Sequence, residues 1–321
     1  NKINAGNIFD KDILASLYEG FNSLYQDKLV VGNQVKKIQI GSKPKLYAFY
    51  SLDDSLSIFN DDKLIKIKVK KLKSFTFCDE DNLIVHKSPN FLHKLDFNKG
   101  SVLNEFNRED KIISVNKLKF NNSDHFFVFC DSKVFVLDQN LKEVGQWNNS
   151  LKINSLDNYK DHFICISDSK IFIIDLTEKN EINILREYNF QDNISSISSV
   201  FERNKIAIGL ADGNFSIFDL KKNNPILLNK THKTKITGCH VIQANGKSVV
   251  VTTGMDSQIK IFSGSGNDWI DKKFSQIDNV SNHTSWINDS KLDYYNKNLL
   301  TASADGTVRF WPLDPETFLN Y

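Results

Sequence analysis

The sequence contains few of the residues that mark membrane-spanning, disulfide-rich or disordered chains. Its 321 residues include four cysteines, one methionine and five prolines, and 41 basic residues nearly balance 39 acidic ones. The longest apolar runs have the length of a strand, far below the about 20 residues of a transmembrane helix. The formal net charge of +2 excludes the overall basic surface of a dedicated nucleic-acid binder. We therefore expect one large globular domain without a membrane span.

The sequence also lacks the spacings that hold metals, cofactors or nucleophiles. The cysteines, Cys78, Cys130, Cys165 and Cys239, lie far apart, and no two of the seven histidines form an H-x-x-x-H pair. No glycine-rich phosphate loop and no signal-peptide pattern is present. These absences predict a non-catalytic chain with reduced thiols, no cofactor and no metal, in the cytoplasm or nucleus. From the start at Asn1, without an initiator methionine, we expect a trimmed or excised segment.

What the sequence does contain is one pattern repeated seven times. Each copy has an apolar run, a short polar turn and a second, alternating run, which is the pattern of a β-hairpin. The copies cover residues 45–60, 83–96, 126–138, 163–175, 206–219, 249–262 and 299–311. The ends of their second runs lie 36 to 49 residues apart. A period of roughly 40 to 45 residues with four short strands per unit is typical of a propeller blade.

An aspartate recurs in the turn of six of the seven hairpins. These residues are Asp54, Asp131, Asp168, Asp212, Asp256 and Asp305, and only the second copy departs, with Ser88-Pro89-Asn90. A short carboxylate side chain can cap such a turn. Glycine follows Asp212 and Asp305, and Asp-Gly between alternating runs is a strong hairpin signal. The pattern predicts an all-β fold.

The seventh copy, with the loop 282–286 before it, resembles the WD40-repeat family. The resemblance implies a seven-bladed β-propeller and, in the seventh blade, a hydrogen-bonded tetrad of His283, Thr301, Asp305 and Trp311. In such a tetrad the acid holds the imidazole, the imidazole bonds the hydroxyl and the hydroxyl meets the indole N–H, so buried polar groups satisfy one another. The tetrad is interpreted as a structural device and not as a catalytic triad.

The earlier copies match the family less well. The sixth keeps a partial tetrad of His232, Thr252 and Asp256, but Phe262 stands in place of the tryptophan and has no N–H to donate. The first five copies have no clear loop histidine. Even in the seventh copy, Pro312 follows the tryptophan where the family has an aspartate. The first five copies are therefore interpreted as degenerate blades.

Two segments lie before the first hairpin. Residues 28–31 read as an outer strand, which we expect to pair beside the strands of 287–312 and to close the ring, so that residues 28–321 form the propeller. Residues 1–27 form an N-terminal extension, in which apolar side chains at helical spacing predict one α-helix over 10–26. Its candidate docking residues are Ile13, Leu17, Phe21 and Leu24. The helix either packs on the propeller or docks onto another subunit.

The family resemblance implies a binding surface formed by the loops before the first strands and by the turns between the second and third strands. The candidates there are Lys235, Met255, Trp286 and Ala304. Trp286 is the favoured residue because tryptophan is a frequent interface anchor, and packing between adjacent blades is the alternative interpretation.

A basic stripe is the other candidate surface. Lys66, Lys68 and Lys70 share one face of an expected strand, because alternate residues point to the same side. Such lysines guard an exposed strand edge against unwanted pairing. The alternative is a local contact with an acidic protein, RNA or anionic lipid.

These observations lead to one functional hypothesis and one alternative. A rigid ring with several faces suits a non-catalytic scaffold that holds other proteins in an intracellular complex. The alternative is a reader that captures a short peptide, a modified residue or ubiquitin on the face around the channel. The fold by itself selects neither process nor partner.

Overall fold

The computed structural model describes residues 27–31, 33–61, 63–120, 123–153, 155–159, 162–176, 182–198, 204–244, 247–265, 275–280 and 283–312. Within these ranges every regular element is a β-strand. The helix expected over residues 10–26, with Ile13, Leu17, Phe21 and Leu24, lies outside the described residues.

The strands are short, between four and nine residues. In chain order they are β1 (Asp27–Val30), β2 (Val35–Ile40), β3 (Leu46–Ser51), β4 (Ser55–Asn60), β5 (Lys63–Lys68), β6 (Ser74–Phe77), β7 (Asn82–Ser88), β8 (Phe91–Asp96), β9 (Ser101–Asn107), β10 (Ile112–Phe120), β11 (Ser123–Cys130), β12 (Lys133–Leu137), β13 (Glu143–Asn148), β14 (Ser155–Tyr159), β15 (His162–Ser167), β16 (Lys170–Leu176), β17 (Ile182–Asn189), β18 (Ile194–Ile197), β19 (Lys205–Leu210), β20 (Asn214–Asp219), β21 (Asn224–Lys230), β22 (Ile236–Ala244), β23 (Lys247–Gly254), β24 (Ile259–Ser265), β25 (Ser275–Val280), β26 (Ile287–Asp293), β27 (Asn298–Ser303) and β28 (Thr307–Pro312).

The strands form seven four-stranded sheets. Six sheets are built from four consecutive strands each, in the orders β2-β3-β4-β5, β6-β7-β8-β9, β10-β11-β12-β13, β14-β15-β16-β17, β18-β19-β20-β21 and β22-β23-β24-β25. The seventh has the order β26-β27-β28-β1. Seven meandering sheets of this kind are the arrangement of a seven-bladed β-propeller, and the all-β class expected from the hairpins is confirmed.

The first strand of the described residues, β1, completes the last sheet. β1 pairs antiparallel with β28, with Leu29 opposite Val308 and Val30 opposite Thr307. Beyond the strand, the Val31 amide donates to the Gly306 carbonyl at 2.9 Å. The side chain of Leu29 is buried. The last sheet therefore joins residues from both ends of the sequence.

Glycine in the turn after β19 shows why the hairpin turns need particular residues. Gly213 has φ +90°, a region that side-chain-bearing residues rarely adopt. A Cβ atom there would lie 2.3 Å from the His232 carbonyl oxygen. The Gly213 carbonyl in turn accepts the amides of Thr231 and His232. The turn thus anchors the loop that leads to β22.

By its contacts the chain divides into two units. Of the described residues, those within 1–40, 47–53 and 195–321 form the first unit, and those within 41–46 and 54–194 form the second. In the first unit two apolar clusters lie between neighbouring sheets. One includes Phe215 and Phe262, whose rings stack at 5.2 Å, and the other includes Ile287 and Trp311.

The second unit repeats this construction. One cluster joins the sheet of β6–β9 to that of β10–β13 and includes Phe106 and Phe135, whose rings meet edge to face at 5.6 Å. The next cluster joins β10–β13 to β14–β17 and includes Trp147. In both units the second and third strands carry most of the fully buried residues, whereas fourth strands such as β9 and β17 are mostly exposed.

Candidate functional site

The seventh sheet contains a complete chain of buried hydrogen bonds. The Trp311 indole N–H donates to Thr301 Oγ1 at 2.8 Å, and Thr301 Oγ1 lies 2.7 Å from His283 Nε2. His283 Nδ1 lies 2.8 Å from the Asp305 carboxylate. Because an indole can only donate and a carboxylate can only accept, the Thr301 hydroxyl donates to Nε2 and Nδ1–H donates to Asp305. The structure thus brings together all four residues of the expected tetrad.

The electrostatics of this network favour a neutral imidazole beside a carboxylate ion. Burial lowers the pKa of His283 and outweighs the raising effect of Asp305. Burial acts to raise the pKa of Asp305, but hydrogen bonds from His283 and Thr307 outweigh it and hold that pKa well below its usual range. Both side chains are almost fully enclosed. The network therefore fixes the loop before β26 to the turn after β27.

The sixth sheet has the same network without its last member. His232 Nδ1 lies 2.8 Å from Asp256, and its Nε2 lies 2.9 Å from Thr252 Oγ1. Phe262 occupies the position of the tryptophan and is buried. In place of an indole, Thr252 Oγ1 has the Lys260 carbonyl oxygen at 3.5 Å, which is the limit for a hydrogen bond. This partial tetrad still fixes the loop before β22 to the turn after β23.

The four candidate binding residues form two backbone-linked pairs in the first unit. The Met255 amide donates to the Lys235 carbonyl at 2.9 Å, and the Ala304 amide donates to the Trp286 carbonyl at 2.9 Å. Lys235 and Trp286 immediately precede β22 and β26, neighbouring strands that meet where His240 Nε2 bonds Ser290 Oγ at 2.8 Å. Trp286 is 58% exposed, so its side chain does not fill the space between blades.

A third pair, which the sequence did not point to, continues this surface. The Leu52 amide donates to the Gln34 carbonyl at 2.9 Å, and Leu52 is 47% exposed. The residue after Gln34 is joined to the seventh sheet, because the Asn288 side chain donates to the Val35 carbonyl at 2.8 Å. We call the surface formed by the three pairs the loop face; its residues are Lys235, Met255, Trp286, Ala304, Gln34 and Leu52.

The basic stripe is shorter than the alternation predicted. β5 ends at Lys68, so Lys66 and Lys68 lie on the strand, whereas Lys70 lies in the turn that follows. All three side chains are exposed. Lys70 departs from the stripe because the chain turns once Val69 donates its amide to the Asp54 carbonyl.

A polar cavity of about 300 Å³ lies in the first unit, along strands β18, β22 and β26. Its wall includes Ser196, Thr237, His240, Asp289, Ser290, Lys291 and Tyr294. Burial, aided by the nearby Lys291, lowers the pKa of His240 to about 3, so this imidazole is neutral. A neutral imidazole of such low basicity is a poor general base even though it contacts the Ser290 hydroxyl.

Close packing at one glycine builds the wall of this cavity. A Cβ atom on Gly238 would lie 1.9 Å from Ser290 Oγ. Ser290 Oγ also lies 2.8 Å from Thr253 Oγ1, so this small residue lets a hydroxyl network cross from one sheet to the next. Sequence patterns missed these residues because they come from strands far apart in the chain. Among the residues that the structure describes, no three metal-ligating side chains cluster together.

Comparison with known proteins supports the WD40 resemblance. A search of curated proteins finds no match. In the part of the chain that the structure describes, no helix has the length and apolar character of a membrane span. A protein-family model described as WD domain, G-beta repeat, matches residues 274–312, which contain the tetrad of the seventh sheet. The chain therefore carries a WD40 repeat of this family, in a seven-bladed β-propeller arrangement.

Proposed function

We propose that this chain is a non-catalytic scaffold that holds other proteins in a complex, and that the loop face is its principal docking surface. WD40 propellers are commonly platforms for protein interaction and generally lack catalysis. The scaffold role is consistent with the balanced charge and with the buried, reduced thiols, which also support a cytoplasmic or nuclear location.

The observation that carries this proposal is an exposed tryptophan on a rigid base. Three consecutive residues at Trp286 are fixed: the Thr284 amide donates to Asp305, the Ser285 carbonyl accepts the Ser303 hydroxyl, and the Trp286 carbonyl accepts the Ala304 amide. Trp286 itself is 58% exposed. A large aromatic side chain on a preorganised backbone loses little entropy on binding, which is why tryptophan is frequent at interface hot spots.

Affinity purification of the full chain from its native cells, followed by quantitative mass spectrometry, tests this proposal. Three forms are compared: the wild type, Trp286→Ala and the matched control Tyr295→Ala. Tyr295 is 60% exposed in the turn between β26 and β27, so the control also removes one exposed aromatic ring from the same sheet. We expect a set of stoichiometric partners that is lost with Trp286→Ala and kept with Tyr295→Ala.

The comparison is valid when the unfolding free energies of both variants lie within about 0.5 kcal/mol of the wild-type value, as expected for substitutions at exposed sites. A partner set that both variants retain would remove the loop face from the proposal. Absence of any stoichiometric partner would remove the scaffold role itself.

A peptide reader is the second candidate function. It is favoured by one feature of the loop face, the exposed lysine Lys235. Lys235 immediately precedes β22, just as Trp286 immediately precedes the neighbouring strand β26. A cation and an aromatic ring on neighbouring strand starts form a small mixed site suited to a short segment. Substoichiometric, exchangeable partners lost with Trp286→Ala would favour the reader over the scaffold.

A further inference from the structure

The loop face has a directional distribution of charge. The turns after β23 and β27 bring two aspartates to it, Asp256 and Asp305, but both side chains are only 7% exposed because they bond the histidines below. Their negative charges are thus enclosed in the partial and complete tetrads. Lysines dominate the exposed charges next to Asp256.

Two of those lysines stand in the loop before β22. Lys233 and Lys235 are exposed, and their backbones are held, since the Lys233 amide donates to Asp256 and the Lys235 carbonyl accepts the Met255 amide. Lys230, also exposed, places its amine on the Asp212 carbonyl. Asp212 is the exposed acid of this neighbourhood, and its carboxylate bonds Asn214. Three exposed lysines outnumber the two acids here, the exposed Asp212 and the enclosed Asp256, and leave this end of the face positive.

The apolar part of the face begins one strand further on. Trp286 precedes β26, and Leu52 is bonded to the residue that precedes β2. An exposed acid, Asp53, follows Leu52. The face therefore runs from positive charge through an aromatic ring to a mixed apolar and acidic end.

Register shifts keep this arrangement fixed. The ladders of β2, β22 and β26 each slip at the second residue, between Val35 and Lys37, Ile236 and Gly238, and Ile287 and Asp289. Such bulges turn the chain where it enters the sheet and are common beside binding sites. In β26 the bulge frees Asn288 to bond the Val35 carbonyl, which ties the starts of β26 and β2 together.

We propose that the loop face binds a short acidic segment of a partner protein, with its carboxylates beside Lys233 and Lys235 and an apolar side chain on Trp286. This inference rests on the proposed docking function of the same face. The Cα atoms of β22 and β26, and those of β2 and β26, approach within 8 Å. Because extended chain advances roughly 3.3 Å per residue, the three strand starts span about five residues. The carboxylates of the segment complement the two lysines. Asp53, at the opposite end of the loop face, repels those carboxylates and so fixes the direction in which the segment binds.

A peptide selection on the immobilised full chain tests this proposal. The probe is a phage-displayed random library of peptides about 12 residues long. We expect enrichment of sequences in which aspartate or glutamate lies next to tryptophan, phenylalanine or leucine. The enriched peptides are then synthesised with a fluorescent label, and their affinities are measured by fluorescence anisotropy.

Three variants locate the site. The double variant Lys233→Glu/Lys235→Glu and the single variant Trp286→Ala should each weaken binding at least about tenfold. The control Lys66→Glu/Lys68→Glu has the same change of charge on β5 and should bind within about twofold of the wild type. Affinity should fall as the salt concentration rises from about 50 mM to about 300 mM, because exposed charges are screened.

Several results would overturn the inference. They are a selection without enrichment, enriched peptides without an excess of acidic residues, undiminished binding to the Lys233→Glu/Lys235→Glu variant, or displacement of the peptides by a short oligouridine at lower concentration than by unlabelled peptide. If cellular partners depend on Trp286 but not on the two lysines, the docking function stands and the acidic chemistry fails. If they depend on neither, the docking function fails as well.

Discussion

At the residue scale, the sixth and seventh sheets offer a natural comparison of one polar network with and without its indole. Both position a histidine between an aspartate and a threonine, at 2.7 to 2.9 Å. Only Trp311 adds a donor to the threonine, at 2.8 Å. The hydrogen bond from the indole is therefore not needed to position the loop before the first strand, and we expect it to contribute to stability instead.

Replacing Trp311 with phenylalanine measures that contribution. The change removes one buried hydrogen bond and part of a buried ring, so we expect a loss of about 2 to 3 kcal/mol of unfolding free energy. Urea denaturation of the two proteins provides the measurement. Thr301→Val and the double variant complete the cycle, and because both changes break the same bond, the double variant should lose less than the sum of the two. Strict additivity would show that the network gives no coupling.

His240 makes a second prediction at this scale. The groups that face it are the Ser290 hydroxyl, which itself contacts Thr253, and the Lys291 ammonium. Its pKa in the folded chain is about 3, against an ordinary value of about 6.5 when unfolded. Between these values the unfolded chain binds more protons, so this group lowers stability as the pH falls through about 6.5, by up to about 1.4 kcal/mol per pH unit.

Histidine-selective NMR tests the assignment directly. The ring signals of His240, identified by their loss in His240→Gln, should keep their neutral positions from about pH 8 to about pH 5. The His240→Gln variant should also lose less stability than the wild type over this range. A titration midpoint for His240 above about pH 5 would contradict the neutral assignment.

At the scale of strands and turns, sequence patterns locate the parts of each sheet that are buried. The second and third strands read clearly because their buried faces demand uninterrupted apolar residues, as in β11 and β12. Fourth strands such as β17 are exposed along most of their length and leave no such pattern. The bulges of the first strands, which shape the loop face, depend on hydrogen bonds between distant segments and have no local signature.

The sequence likewise predicts some residues of the candidate site and not others. Trp286 and Lys235 follow from alignment to the repeat, since each immediately precedes a first strand. Leu52 was not foreseen because its place beside Gln34 depends on a hydrogen bond between separate segments. The cavity wall at Ser290 was not foreseen because it needs Gly238 from another sheet. Lys70 was placed on a strand that in fact ends at Lys68.

Strand β1 supplies the prediction at the element scale. Its neighbour in the sheet is β28, and Leu29 fills the buried side of that pairing. Leu29→Ala should lower the unfolding free energy by about 2 to 4 kcal/mol, because it removes buried methyl groups and leaves a cavity. Lys28→Ala on the same strand should change it by less than about 0.5 kcal/mol. Equal losses of unfolding free energy for the two variants in urea denaturation would mean that burial of Leu29 does not hold β1 in the sheet.

At the scale of the whole molecule, nearly equal numbers of opposite charges leave local patches to select the partners that the proposed docking function requires. The net charge of +2 gives little long-range attraction to polyanions. The exposed lysines of β5 and of the loop before β22 therefore act over short distances only, within roughly 10 Å in physiological salt. Specificity then depends on the positions of individual side chains on a fixed scaffold, for which a molecule built of repeated sheets is suited.

The four cysteines test how completely that scaffold is packed. All are free and buried, Cys239 in the first unit and Cys78, Cys130 and Cys165 in the second. Burial raises the pKa of Cys78 to about 11 and those of the other three to about 12. The thiolate is the reactive form, so at about pH 8 we expect iodoacetamide to label each native thiol at least about 100-fold more slowly than in the urea-unfolded chain.

Peptide mapping by mass spectrometry gives the labelling rate of each cysteine separately. A cysteine introduced as Lys66→Cys, at an exposed position of β5, should react at the rate of the unfolded chain and shows that the reagent is active. Added urea should raise the native rates only as the protecting sheets open, since local opening exposes a thiol in proportion to its free-energy cost. Rapid labelling of any one native thiol would contradict its packing and identify the sheet that opens first.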